Sequence, residues 1–388
     1  MLKCVRKVSV KNYIVRFREL ICMNDSRPRV RDVGIELGDY KPGRYNAITD
    51  VEGVSVGHET LIAGEGALIP GKGPVRTGVT AVIPHGGNVF REKLRASAFV
   101  INGYGKSVGI PQLIELGTLE TPILLTNTLN VGLVMDALID YMLDRNPDIG
   151  VTTTSVNPVV CECNDSFLND IRGRHVKKHH ALKALSEAHG GIVEEGAVGA
   201  GTGMSAFEFK GGIGTSSRTL KSEDGGYTVG VLVLSNFGRR EDLRIDGVPV
   251  GKELRSYGLR GGGGKGSIII IMATDAPLNS RQLFRLAKRG AHGIARTGSY
   301  SSHSSGDFVI AFSTKNKVPH YYEKGSLEEE ILLDEALDPI FKAAVEATEE
   351  AILNSLFKAE TMVGRDNHVR VAIPVDEVVK IMRKYNRF

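Results

Sequence analysis

The sequence predicts a layered α/β sandwich in which helices cover the outer faces of β-sheets. Two short runs rich in β-branched residues, at 227–236 and 267–273, are apolar on both faces and too short for helices. Segments with helical spacing alternate with strand-like runs along the chain. Strands that are buried on both faces need another layer on each side, and helices outside the sheets would supply it.

The elements can be placed in order along the first two thirds of the chain. The apolar pattern predicts a strand at 79–84, a helix from about 88 to 100 and a second helix at 131–143. The runs at 227–236 and 267–273 follow as buried strands.

The last third of the chain continues the alternation. Asn279 is placed to cap a helix that extends to about Ile294, and a strand is predicted at 308–313. A long helix then begins with Asp338 as N-cap and Pro339 as its first residue. Its apolar residues share one stripe: Ile340, Phe341, Ala344, Val345, Ile352 and Leu356.

Charge is distributed unevenly, and its distribution argues against a nucleic-acid partner. Residues 1–22 hold six basic groups and one acidic group, a net charge of +5. Since the whole chain has a net charge of +4, the remaining residues carry about −1. A basic footprint supplies most nucleic-acid affinity, and the body lacks one. Since no linker or composition break divides that body, we predict a poorly ordered basic leader at 1–26 and a single domain at 27–388.

Targeting signals and cysteine usage favour a cytoplasmic protein. The leader has neither the unbroken apolar stretch nor the cleavage site of a secretory signal, and no apolar run approaches the ~18 residues that span a bilayer. Four cysteines (Cys4, Cys22, Cys161 and Cys163) are too few for a disulfide scaffold.

A zinc site is the alternative interpretation of the cysteines. Cys161 and Cys163 precede several histidines in the segment 174–189, but the spacing fits none of the usual structural zinc sites. We expect a solvated helix face rich in Lys and His there, and neither a metal nor another cofactor.

The most unusual segment is the glycine run at 261–266, which leads through Ser267 directly into a predicted strand. A phosphate-binding loop needs Lys followed directly by Ser or Thr and then a helix, whereas Gly266 follows Lys265 and a strand comes next. A long glycine turn is a second interpretation. A third is chemical, because the Ser267 hydroxyl can attack the unshielded Gly266 carbonyl, shift the acyl group from N to O and so cut the chain.

Cleavage at this bond would turn Ser267 into an N-terminal nucleophile. Its hydroxyl and its new α-amine would belong to the same residue. An α-amine with a pKa of ~7.7–8.0 can act as a base at neutral pH. Ser107 is a competing nucleophile, since 105–109 matches G-x-S-x-G. That motif requires a strand before the serine and a helix after it, whereas a helix is predicted to end just before Ser107.

Several long stretches carry a family resemblance: ITDVEGVSVGH (48–58), RTGVT (76–80), LETPILLTNTL (119–129), NDI (169–171), GAGTGM (199–204), GSI (266–268) and AETM (359–362). On these residues the chain resembles the L-aminopeptidase/D-amidase-esterase family, which includes the β-peptidyl aminopeptidases. The resemblance covers nearly everything from about Arg29 to the end. It implies a self-cleaving serine hydrolase that matures into residues 1–266 and 267–388, with a four-layer αββα sandwich of the N-terminal-nucleophile type. Members assemble as homo-oligomers, often tetramers.

The resemblance also implies roles for individual residues around the nucleophile. Ser305 would orient Ser267 or relay its proton, with Asp307 as acidic partner, at a position where some members have Glu. Asn236 would stabilise the oxyanion, a task that suits an amide donor. Glu162 would hold the free amine of a small peptide or amino-acid amide substrate. Asn164 falls where some members have a tyrosine that polarises the substrate carbonyl.

Without the resemblance, these residues have plainer interpretations, as turn residues for Ser305 and Asn236 and a surface acid for Glu162. The general base stays open between the Ser267 amine and the Ser305–Asp307 pair. Two other functions also stay open. An acyltransferase of the ornithine acetyltransferase type would cut itself in the same way, but threonine is expected at its nucleophile. A non-catalytic scaffold would stay uncut. The preference among L-, D- and β-amino residues depends on pocket shape, which the sequence does not give.

Overall fold

The computed structural model describes residues 27–258, 266–322 and 324–387, so the predicted leader and most of the glycine run lie outside the described residues. In chain order the strands are β1 (Ser55–Ala63), β2 (Val75–Ile83), β3 (Glu92–Gly103), β4 (Thr118–Leu119), β5 (Ile123–Asn127), β6 (Val159–Cys163), β7 (Ser205–Ala206), β8 (Phe209–Lys210), β9 (Gly212–Thr219), β10 (Thr228–Asn236), β11 (Ser267–Thr274), β12 (Gly306–Pro319), β13 (Met362–Val363) and β14 (Val369–Arg370). The α-helices are α1 (Ile110–Glu115), α2 (Val131–Arg145), α3 (Lys178–Ser186), α4 (Val250–Glu253), α5 (Ser280–Ala287), α6 (Gly290–Arg296), α7 (Asp338–Phe357) and α8 (Val375–Lys384).

Most of the strands belong to two stacked sheets. The smaller sheet has the order β1-β2-β5-β6, and the larger has the order β4-β3-β12-β11-β10-β9. Strand β11 lies inside the larger sheet, antiparallel to β10 and parallel to β12. Strand β12 is antiparallel to β3 on its other side.

Alternate side chains of β11 enter different cores. Ile268 and Ile270 pack with residues of α5, α6 and α7, whereas Ile269 and Ile271 pack between the two sheets. A third core lies between the outer face of the smaller sheet and helices α2 and α3. The layers therefore run helix, sheet, sheet, helix, which confirms the predicted four-layer αββα sandwich. Burial on both faces explains the consecutive apolar residues at 231–234 in β10 and 268–273 in β11.

Most of the predicted elements are found. The strands at 79–84, 227–236, 267–273 and 308–313 correspond to β2, β10, β11 and β12, and the helix at 131–143 corresponds to α2. The predicted bounds differ from the observed ones mainly at the ends, where the hydrophobic pattern is weakest.

The predicted helix at 88–100 is wrong, because most of this segment forms β3. The apolar pattern that predicted it does not distinguish a helix from a strand buried in part, and good helix formers such as Glu92 and Lys93 lie in the segment. In the structure, however, β3 is paired on both sides, and Leu94 and Ala96 face the core between the sheets. Strand pairing and burial thus outweighed local propensity.

Two further helix predictions need correction at their ends. Asn279 does cap a helix: its side chain accepts a hydrogen bond from the Gln282 N–H at 2.9 Å. The predicted single helix is nevertheless two, since α5 ends at Ala287 and α6 begins at Gly290. Helix α7 begins at Asp338 itself, with Leu337 in the N-cap position, one residue earlier than predicted.

Helix α7 is buried on nearly all sides, including some of its acidic residues. Glu350 accepts a hydrogen bond from the buried Arg218 guanidinium at 2.7 Å and forms an ion pair with Arg31 at 2.8 Å. Pairing of this kind compensates for the cost of burying a carboxylate. None of the helices in the described parts of the chain is long and apolar enough to cross a membrane.

Candidate active site

Most of the predicted site residues lie at one end of three neighbouring strands in the larger sheet. The C-terminal end of β10 lies there beside the N-terminal ends of β11 and β12. β10 ends at Asn236, β11 begins at Ser267 and β12 begins at Gly306. Asn236 pairs with Ser267 across the β10–β11 register, and Ser267 pairs with Gly306 across the β11–β12 register. Residues that are far apart in sequence therefore lie side by side.

Ser267 lies next to the carbonyl that it is predicted to attack. The residue is only 6% exposed, and its Oγ accepts a hydrogen bond from the Gly306 N–H at 3.3 Å. The same N–H also donates to the carbonyl oxygen of Gly266 at 3.2 Å. One backbone donor therefore contacts both the hydroxyl and the carbonyl of the predicted cleavage site.

Glycine is needed at position 266 because of a close backbone approach. A Cβ on Gly266 would lie 2.1 Å from the Asn236 carbonyl oxygen and 2.6 Å from the Phe237 Cα. Its φ lies outside the left-handed region, so the requirement for glycine comes from steric contact with Asn236 and Phe237.

Ser305 and Asp307 form a buried pair beside Ser267. The Ser305 hydroxyl donates to Asp307 Oδ1 at 2.6 Å, and the aspartate is only 1% exposed. Burial raises the pKa of Asp307, and hydrogen bonds from Ser305, Ser301 and the Ile268 backbone act in the opposite direction. The shorter Asp side chain therefore does reach Ser305.

Asn102 supports this pair, and the sequence analysis missed it. Its amide NH₂ donates to the carbonyl oxygens of Ser302 at 3.2 Å, His303 at 3.1 Å and Ser305. These contacts hold the turn that precedes β12. Asn102 lies at the end of β3, where a correct strand prediction would have placed it opposite Asp307.

Asn236 is held in place by contacts of both its amide atoms. Its Oδ1 accepts from the Ser205 N–H at 2.8 Å, and its Nδ2 donates to the Asn164 carbonyl at 2.9 Å. One amide hydrogen remains for an oxyanion. The Asn164 side chain is exposed, and its Oδ1 accepts from the Ser166 N–H at 3.0 Å within its own turn.

Glu162 comes from the smaller sheet. It lies near the end of β6 and is only 4% exposed, so it is not the surface acid of the plainer interpretation. Its carboxylate accepts hydrogen bonds from the Lys106 N–H at 2.9 Å and from the Thr128 hydroxyl. The next residue, Cys163, contacts the Leu234 carbonyl of β10 at 3.5 Å, so this end of β6 lies against the larger sheet near Asn236.

The alternative nucleophile and the cysteines have other surroundings. Ser107 does lie between a strand, β3, and a helix, α1, so the sequence argument against it was partly wrong. Its Oγ is buried and has no hydrogen-bond partner among the residues that the structure describes, so no base there is placed to take its proton. Cys161 and Cys163 are buried between the sheets, and burial raises the pKa of Cys161 to about 12. Among the described residues, no group of three or more His, Cys, Asp or Glu side chains is placed to hold a metal.

Asp165 is a further buried carboxyl group near the site. It follows Asn164 directly, and its Oδ1 accepts from the Asn169 amide at 3.0 Å. Complete burial raises its pKa to about 7, whereas hydrogen bonds from neighbours such as Thr77 and Asn127 act in the opposite direction.

We therefore expect the stability of the protein to depend on pH through Asp165. A raised pKa in the folded state gives stability that is complete below the unfolded value of ~3.9 and is lost as pH rises through about 7. Between pH 5 and pH 8, Asp165→Asn should therefore gain about 2–3 kcal/mol in unfolding free energy relative to wild type. Denaturant titrations at both pH values measure this gain. The exposed Asp376→Asn should gain nothing, and an equal change in both variants would contradict the prediction.

Comparison with known proteins agrees with the geometry. The family model described as Peptidase family S58 matches residues 46–370. The β-peptidyl aminopeptidase BapA of Sphingosinicella microcystinivorans is 45% identical over 375 residues, which cover 93% of each chain.

Solved structures extend the comparison to the fold. The PH0078 protein of Pyrococcus horikoshii OT3 is 61% identical with a TM-score of 0.90, covering 93% of this chain and all of that one. The L-aminopeptidase D-Ala-esterase/amidase of Ochrobactrum anthropi is described as a prototype of the serine aminopeptidases and a variant of the Ntn hydrolase fold. It is 39% identical with a TM-score of 0.86, covering 93% of this chain and 99% of that one. The predicted resemblance is confirmed. The chain therefore belongs to peptidase family S58 and is a serine aminopeptidase.

Proposed function

We propose that this chain cuts itself between Gly266 and Ser267 and then uses Ser267 to release N-terminal amino acids from short peptides, amides or esters. One observation carries the proposal: the Gly306 N–H contacts both the Ser267 hydroxyl and the Gly266 carbonyl, at 3.3 and 3.2 Å. The Gly306 N–H therefore holds the nucleophile and the scissile carbonyl close together, and this positioning favours an acyl shift.

The self-cleavage step converts a peptide bond into an ester and then into two chain ends. Ser267 Oγ attacks the Gly266 carbonyl carbon, the C–N bond breaks, and the hydroxyl proton ends on the departing nitrogen. Water then hydrolyses the ester. It leaves a carboxylate on Gly266 and restores the hydroxyl of Ser267, which now carries a free α-amine.

The same hydroxyl then attacks the carbonyl of a substrate's N-terminal residue. Asn236 donates to the oxyanion, the leaving amine takes a proton, and water releases the acid from the acyl-enzyme. The Ser267 amine and the Ser305–Asp307 pair are the two candidate bases. The short contact of Ser305 with Asp307 supports the pair as a proton relay.

Glu162 gives the site its preference for an unblocked N-terminus. A buried carboxylate attracts the ammonium group of the substrate, whereas an acylated nitrogen is uncharged and cannot form an ion pair with it. The enzyme should therefore accept free amino-acid amides and reject their N-acetyl derivatives.

The setting of the enzyme follows from the sequence expectations. We infer a cytoplasmic homotetramer that needs no cofactor, acts on small substrates and binds neither nucleic acid nor membrane. Both cysteines of the described chain are free thiols, which agrees with a reducing compartment. Serine rather than threonine at position 267 favours hydrolysis over transfer of an acyl group to an amino acid.

The test is the mass of the purified protein together with its substrate range. We expect two fragments of 266 and 122 residues, hydrolysis of amino-acid p-nitroanilides, and no action on the N-acetyl p-nitroanilides. Acetyl-ornithine with glutamate should give no acetyl transfer. An intact chain that turns over the p-nitroanilides would overturn the mechanism.

A further inference from the structure

The amine site contains a buried carboxylate without a cation. Glu162 is 4% exposed, and among residues 27–258, 266–322 and 324–387 no Lys, Arg or His forms an ion pair with it. An unpaired charge is costly to bury, so such a carboxylate is normally compensated. In this enzyme the substrate ammonium is the cation that completes the pair.

Two donors fix the carboxylate before substrate arrives. The Lys106 N–H donates to Glu162 Oε1 at 2.9 Å, and the Thr128 hydroxyl donates to Glu162 Oε2. Each oxygen is thus held once from the protein side. A carboxylate can accept about four hydrogen bonds, so about one position remains on each oxygen, and two of the three N–H groups of an ammonium can occupy them.

Thr128 is itself held by a rigid segment. It directly follows β5, whose last two residues are anchored to β2 through their side chains. The Thr126 hydroxyl donates to the Gly78 carbonyl at 3.2 Å, and the Asn127 amide donates to the Thr77 hydroxyl at 2.7 Å. Thr126 is the register partner of Glu162 across β5 and β6, but its hydroxyl donates to Gly78, and the hydroxyl that donates to Glu162 is that of Thr128.

We propose that Thr128 is a positioning residue for recognition of the substrate amine. Its hydroxyl keeps the Glu162 carboxylate turned toward the ammonium and supplies part of the hydrogen bonding that burial removes. This role rests on the proposed function of Glu162 and deepens it. It also separates two activities, since the Gly266–Ser267 bond has no free amine at its acyl side and self-cleavage needs neither Thr128 nor Glu162.

The experiment compares four variants of the full chain: Thr128→Val, Thr128→Ser, Thr126→Val and Glu162→Gln. Loss of one hydrogen bond to a charged group should raise KM for amino-acid p-nitroanilides about 10- to 100-fold in Thr128→Val. The kcat value should change much less, because the reacting atoms are untouched. Thr128→Ser restores the hydroxyl and should restore KM. Thr126→Val, the matched control, removes a neighbouring hydroxyl that does not reach Glu162 and should leave KM unchanged.

Self-cleavage, measured by mass spectrometry, is the second readout. If Thr128 only supported the fold, its replacement would impair self-cleavage as well as substrate binding. All four variants should mature like wild type. The proposal fails if Thr128→Val keeps its KM, if Thr128→Ser is no better than Thr128→Val, or if Thr128→Val stays uncut or unfolded. Failure of the underlying function would look different, because Glu162→Gln would then retain full activity or wild type would hydrolyse no free-amine substrate.

Discussion

Replacing Ser267 with alanine is expected to give an uncut chain of 388 residues with no aminopeptidase activity. The methyl group has no oxygen to attack the Gly266 carbonyl, so neither the acyl shift nor the later acyl-enzyme can form. Mass spectrometry and p-nitroanilide hydrolysis measure the two losses separately. Since the residue is small and lies at the start of a paired strand, the fold should be retained.

Ser267→Thr is the matched control for this variant. It keeps a hydroxyl in the same position and should still cut itself, although the extra methyl group has to fit a buried site. A cleaved and active Ser267→Ala protein would show that another residue performs the chemistry. An uncut but active one would show that maturation is unnecessary.

Replacing Asn236 with alanine is expected to lower kcat about 10²- to 10³-fold, the usual effect of losing one oxyanion donor. The loss should fall on kcat more than on KM, because the donor acts on charge that develops in the transition state. Steady-state kinetics on amino-acid p-nitroanilides check the size and the division of the effect. Maturation should continue, since the Gly306 N–H already contacts the Gly266 carbonyl.

Ser235→Ala is the control for local disturbance at the end of β10. The Ser235 hydroxyl is buried and has no hydrogen-bond partner among the residues that the structure describes. Its removal should leave kcat nearly unchanged. If Asn236→Ala retained wild-type kcat, or if Ser235→Ala lost as much, Asn236 would not be the oxyanion donor.

The sandwich could be predicted from the sequence because its strands are buried on both faces. The runs that became β10 and β11 contain consecutive apolar residues at 231–234 and 268–273, whereas a surface strand or an amphipathic helix would alternate with polar residues. The proposed cleavage site could also be inferred from the sequence, since a glycine run that ends in a serine at the start of such a strand is chemically unusual.

The supporting residues could not be predicted, because their roles depend on contacts between distant parts of the chain. Asn102 acts on a turn about two hundred positions later, and the error at β3 concealed it. Thr128 is closer to Glu162 in sequence, yet only the parallel pairing of β5 with β6 brings them together. The requirement for glycine at 266 likewise comes from contact with the Asn236 carbonyl, which no local pattern records.

The order of strands in the larger sheet determines whether the two fragments could separate after the proposed self-cleavage. Strands β11 and β12 belong to the later fragment, yet they lie between β3 and β10 of the earlier one, with ladders on both flanks. The two fragments would therefore share one hydrogen-bonded sheet, and they could separate only if that sheet unfolded. If the bond breaks after folding, as proposed, a heat-denatured mature enzyme would have to refold from two separate chains. We therefore expect its thermal inactivation to be governed by the rate of unfolding.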